Sequence, residues 1–143
     1  LVKRIAWVGL ERIFKEYKGT QQFEQKLDEL SKSKQKERER RVSEIRNLRD
    51  ELILLDNENR AAQQKRLDEK FRELMEFDQK VREELRNERE EALRAILKEI
   101  ESSVKEFAKA RGFDLILTDR AILYGTEGLD VTDEILEIIN QKR

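Results

Sequence analysis

The chain has 143 residues, 31 of them basic and 32 acidic, so 44% of it is charged and the formal net charge is −1. That balance excludes a nucleic-acid binder working by total charge, and the absence of Cys and His removes disulfides, thiol chemistry, the commonest zinc and iron sites and imidazole catalysis together. With no Pro and five Gly, almost nothing interrupts a helix, and a charged composition rich in Arg, Glu, Lys, Leu and Ala predicts long exposed helices.

In chain order, Ile5-Ala6-Trp7-Val8 is a short apolar run that predicts a strand, and Glu11-Arg12-Ile13-Phe14-Lys15-Glu16-Tyr17 predicts a short helix ending near Gly19. Gly19-Thr20 reads as a break, with Thr20 as N-cap of a long helix over 20–56. Asp56-Asn57-Glu58-Asn59 is the turn-like cluster in the middle, and a second helix is expected from Arg60 to Arg111, stopped by Gly112. Asp114–Thr118 and Ala121–Gly125 read as two strands of a hairpin around Asp119-Arg120. A last helix begins near Asp130, with Asp133 and Glu134 in its first turn and Lys142 and Arg143 at its end, as the helix dipole favours. The longest apolar runs, such as Leu52-Ile53-Leu54-Leu55, are four residues, far short of the roughly 18 a membrane span needs. No secretory signal is visible, and the start at Leu1 without Met leads us to expect that an upstream segment was removed or omitted.

Two long helices joined by a short turn should fold back as an antiparallel hairpin, with position i facing about 116 − i. Residues 97–111 would then overshoot Thr20, and Leu97, Ile100, Val104 and Phe107 carry the spacing of a helix entering a core. Apolar residues step by three and four along both helices: Phe23, Leu27 and Leu30, then Ile45, Leu48, Leu52 and Leu55, facing Leu67, Phe71, Leu74, Val81 and Leu85. In between, Lys34, Glu37 and Arg41 occupy positions where that stepping calls for apolar residues, which implies either a flexible mid-section or a polar layer that fixes register. Residues 32–49 hold eight basic and three acidic residues, whereas the facing stretch 67–84 holds seven acidic and four basic. Complementary blocks favour the folded-back hairpin over one continuous rod. The organisation read from this is a body made of residues 1–19 and 112–143, and a helical arm over 20–111 with its tip near 56–60.

The body's strands are apolar on both faces, so the sheet must be covered on both sides. About fifty residues cannot do that alone, and a second copy is the simplest cover, through Ile5, Trp7, Leu115, Leu117, Ile122 and Tyr124. Catalysis finds no support. Carboxylate pairs such as Glu90-Glu91 lie along exposed helix, the glycines form no phosphate cradle, and di-metal helical sites usually want a His. No enzyme, no metal and no cofactor is expected.

The ends of the chain resemble a known family. Ile5-Ala6-Trp7-Val8 leading through Glu11-Arg12-Ile13-Phe14 to Phe23-Glu24-Gln25-Lys26-Leu27 is similar to the start of mature Skp/OmpH-family chaperones. Phe113-Asp114-Leu115-Ile116-Leu117, Ala121-Ile122-Leu123-Tyr124 and Leu129-Asp130-Val131-Thr132-Asp133-Glu134-Ile135-Leu136 resemble that family's ending. The resemblance implies a mainly α protein with a small β body, in which a long antiparallel coiled-coil arm projects from a strand–helix body that trimerises into a small β barrel. It also implies a periplasmic, ATP-independent holdase that encloses unfolded outer-membrane proteins between its arms. Familiar members are strongly basic and this chain is near neutral, so contact with a membrane surface or lipopolysaccharide is expected to be weak, and no nucleic acid is expected as a partner.

A holdase needs many weak, adaptable contacts. The candidates for client binding are the basic residues Lys32, Lys34, Lys36, Arg38, Arg40, Arg41, Arg46 and Arg49, with Ile53, Leu54, Met75 and Phe77 as apolar residues off the helix–helix seam. Two other readings stand beside this one. A structural coiled-coil adaptor or stalk subunit would need a continuous apolar stripe on the outer arm face. A prefoldin-like cytosolic chaperone would put strands between the arms, whereas here they lie at both ends.

Overall fold

The computed structural model describes residues 3–142. Arg143, expected beside Lys142 at the end of the last helix, lies outside them. The elements are β1 (Ile5–Val8), α1 (Leu10–Glu16), α2 (Lys18–Leu52), α3 (Asn57–Arg111), β2 (Leu115–Thr118) and α4 (Thr132–Gln141), with 3-10 turns at Asp119–Ala121 and Glu127–Leu129. The chain divides into two compact units, one comprising the chain up to Gln25 and from Glu90 onward, the other Lys26–Arg89.

The first unit is organised by β1 and β2, which pair in parallel with Ile5 opposite Leu115, Ala6 opposite Ile116 and Trp7 opposite Leu117. Parallel pairing requires a crossover, and the helices between the strands supply it. Alternation along β1 sends Ala6 and Val8 into a core shared with Ile13, Tyr17, Ile96, Ile100, Phe107, Val131, Ile135 and Ile139. On the far side of β1, Val131 N–H donates to the Trp7 carbonyl at 3.0 Å, which leads the chain into α4. The Thr132 hydroxyl accepts from Gly9 N–H at 2.8 Å, and Thr132 N–H donates to the Asp130 carboxylate at 3.0 Å, so Asp130 takes up a first-turn donor of α4. Gly112 has φ +73°, the left-handed C-terminal position expected of it. Just beyond it Phe113 stacks on Phe107 at 5.7 Å, and the Arg4 guanidinium lies 4.4 Å over the Phe113 ring.

Three local expectations are corrected in this unit. No hairpin forms around Asp119-Arg120. Asp119–Ala121 is a 3-10 turn closed by Ile122 N–H on the Asp119 carbonyl, and Ala121–Gly125 forms no strand among the described residues. The apolar run had suggested a local partner for β2, but β1, more than 100 residues away in sequence, takes that role. Thr20 is not an N-cap: α2 already begins at Lys18, whose N–H donates to the Asn140 side chain at 2.8 Å, and Thr20 is buried within the helix. Gly19 is no break either. A Cβ there would stand 2.5 Å from the Tyr17 ring, so glycine lets that ring lie against the first turn of α2.

In Lys26–Arg89, α2 and α3 pack antiparallel over a small core of Ile45, Leu48 and Leu67, flanked by Leu52 and Leu74. The turn between the helices falls at residues 53–56, slightly ahead of the expected cluster, because Asp56 caps α3: its carboxylate accepts Asn59 N–H at 3.0 Å.

Candidate functional site

The geometry of the Lys26–Arg89 unit is set by charge as much as by apolar contact. Lys34 Nζ lies 3.4 Å from Glu84, Arg38 donates through Nε and Nη2 to both Asp78 oxygens at 2.9 and 3.3 Å, and Lys70 Nζ lies 3.2 Å from Glu44. Each pair falls within two residues of the expected i to 116 − i register. The positions that broke the apolar stepping are therefore filled by partnered groups. Lys34 reaches Glu84, Glu37 accepts from Arg41 at 3.2 Å, and the Arg41 guanidinium sits 4.6 Å over the Phe77 ring. The Arg38 pKa is raised by its hydrogen bond to Asp78 and then by that group's charge, and Asp28 raises Lys32 in the same two ways.

Most of the predicted basic block is thus engaged within the protein. Lys32 pairs with Asp28 at 2.9 Å, Lys34 with Glu84, Arg38 with Asp78, and both Arg40 and Arg41 with Glu37 at 3.9 and 3.2 Å. Lys36, Arg46 and Arg49 are exposed and have no ion pair among the described residues. Ile53 and Leu54, in the turn, are 74% and 86% exposed, and Met75 is 71% exposed. Phe77 is a correction: it is half-buried under Arg41 and not off the seam. Phe71, expected in the seam with Leu67 and Leu74, lies at its edge, 44% exposed, while Lys70 takes the inner position opposite Glu44.

In the first unit, the residues expected to associate occupy the sheet face opposite the core and the segment that follows. Ile5 and Leu115 are exposed, and Trp7, Leu117 and Ile122 are half-buried; Tyr124 and its neighbour Leu123 stand out into solvent. The Trp7 indole N–H is buried without an acceptor. Nearby lie two adjoining hollows of about 270 and 300 Å³ with Leu10, Leu97 and Thr118 in common, one reaching Ile116 and the other Phe14 and Leu93. Leu97 had been assigned to the core with Ile100 and Phe107, yet it is 41% exposed and lines both hollows. Nothing in the sequence pattern marks Leu10, Phe14 and Leu93 as lining a hollow. Their apolar type was visible, but which face they present depends on how α1 meets α3.

Among the described residues no helix is long and apolar enough to cross a membrane. Paired long helices and a small two-stranded parallel sheet define a mainly α protein with a coiled-coil arm and a small β portion. The sequence profile of the outer membrane protein (OmpH-like) family matches residues 4–139, and the chain belongs to that family. A solved structure, a candidate outer membrane chaperone (OmpH-like) from Caulobacter crescentus CB15, superimposes with a TM-score of 0.90 at 13% identity, covering 100% of this chain and 87% of that one. No curated protein matches the sequence. Family membership supports a chaperone role, and the family is not a known class of enzymes. Its members are periplasmic in general.

Proposed function

We propose that the protein is an ATP-independent periplasmic holdase that keeps unfolded outer-membrane proteins apart between helical arms held together as a homotrimer. One observation carries this reading: amid heavily charged helices, the adjacent Ile53 and Leu54 in the turn and Met75 on α3 stand largely exposed as isolated apolar points. Scattered apolar contacts among screened charges bind many sequences weakly and fold around none of them. The arm, residues 20–111, carries the client. The body, residues 1–19 and 112–143, supplies self-association through Ile5, Trp7, Leu115, Leu117, Ile122 and Tyr124.

The half-open sheet face, together with an exposed Leu123-Tyr124 pair and an apolar hollow on the same unit, supports that second role. A contact between unlike surfaces of identical chains closes into a ring when the rotation from one copy to the next divides a full turn. The same basic block, largely neutralised by internal pairs, leaves weak attraction for lipid headgroups.

The test is aggregation of a denatured β-barrel membrane protein diluted from urea, without nucleotide. Suppression is expected at a modest molar excess of chaperone, and none at several-fold excess would sink the reading. Sedimentation of the wild type beside Tyr124→Asp checks the assembly: the wild type should run as a trimer and the variant should dissociate.

A further inference from the structure

We infer that a groove in the Lys26–Arg89 unit, floored by Val42, Ile45, Phe71 and Leu74 and rimmed by Arg46 and Arg49, is a docking site for an extended peptide in which an apolar side chain adjoins a carboxylate. The inference deepens the holdase reading and rests on it for the biological source of that peptide.

The four α2 residues recur at three- and four-residue spacing, so they share one face of the helix. Ile45 is buried and closes the floor, while Phe71 lies at the open edge because Lys70 occupies the inner position. The open volume is about 150 Å³, a size at which an apolar protein cavity admits a benzene ring. One turn further along α3, exposed Met75 extends the apolar track past the groove.

Charge chooses the occupant. Five of the eight cations in the basic block are matched by carboxylates, yet both arginines at the rim are unmatched among the described residues. Glu44, on the same stretch of α2, is held by Lys70 at 3.2 Å, and Asp50 makes no ion pair with Arg46 one turn away. Two guanidinium forks beside an apolar pocket suit a carboxylate that neighbours a buried aromatic or aliphatic group. They oppose a basic peptide by repulsion and offer a purely polar one nothing to bury. An extended segment presents successive side chains on opposite faces, so an apolar residue can enter the groove while its neighbour turns to the rim.

The experiment uses the full chain and a short fluorescent peptide alternating Glu with Phe, read by anisotropy. Peptides alternating Lys with Phe and Glu with Ser, and vesicles of anionic lipid, serve as competitors. Arg46→Gln/Arg49→Gln should weaken the Glu–Phe peptide roughly three- to tenfold, the range two partly exposed ion pairs supply, and raised salt should remove the difference. Phe71→Ala should weaken it as well, whereas Arg86→Gln, an exposed cation outside the groove with no ion pair among the described residues, should leave it unchanged. The inference is overturned if Arg86→Gln weakens binding as much, if the Lys–Phe peptide binds equally well, or if only vesicle binding depends on the two arginines. Suppression of β-barrel aggregation is measured on the same proteins. Wild-type suppression without any groove dependence of peptide binding removes the groove and keeps the holdase. Absence of suppression removes the holdase, and the peptide titration still decides the groove.

Discussion

The two units of this chain solve the same problem with different forces. The unit containing the termini buries a cluster of ten apolar residues, with Ile13, Ile100 and Ile135 fully excluded from solvent. The Lys26–Arg89 unit buries three, and joins its helices elsewhere through Lys34–Glu84, Arg38–Asp78 and Lys70–Glu44. Burial scales with apolar area, whereas partly exposed ion pairs are weak and screened by salt. A molecule built this way can hold one region firmly and leave another soft and wet, as the proposed holdase role calls for.

The contrast is open to attack at several points. The largest effect is expected from Ile100→Ala, which should cost about 2–5 kcal/mol in denaturant unfolding by leaving a cavity in the larger core. A loss no greater than that of an exposed-site control would show that this core is not what holds the unit. Next comes Gly19→Ala, where the new methyl would collide with the Tyr17 ring. About 1–3 kcal/mol should be lost, and combining it with Tyr17→Leu should recover part of the loss. Asp56→Ala removes the cap of α3 and should cost about 1 kcal/mol, seen as faster amide exchange at residues 57–60.

The smallest effect separates the units most directly. Raising salt should speed amide exchange across residues 34–44 and 70–84 while leaving the paired strands β1 and β2, which make no ion pair among the described residues, unchanged; equal acceleration in both would remove the distinction. Alkali is a poor substitute for salt here. Arg38 and Lys32 are raised above their ordinary values, so their contribution is complete through the neutral range and is lost only as pH climbs through those raised values.

Legibility in the sequence followed the range of the interaction. The helix-forming stretches, the strand at Ile5–Val8 and the stop at Gly112 were readable because each depends on neighbours within a few residues. The facing register was readable too, since two uninterrupted helices and a short turn leave little freedom. The same local logic misled at Asp119-Arg120, where an apolar run after a polar pair looked like a hairpin, and at Thr20, where a residue suited to capping lies inside the helix. For the candidate sites, residue type was visible and availability was not. Eight cations looked equivalent; Lys32, Arg40 and Arg41 are taken up by Asp28 and Glu37 one turn away on α2, but only the packing of α3 shows that Glu84 and Asp78 occupy Lys34 and Arg38.

Taken by itself, the amino-acid order determined two long helices and their antiparallel alignment, because periodicity and chain connectivity act locally. Only the tertiary structure decided that β2 pairs with β1, that Phe77 lies beneath Arg41, and that Arg46 and Arg49 stay unpaired beside an apolar groove. Each of those outcomes is a competition among partners distant in sequence, and close approach in three dimensions is what selects the winner.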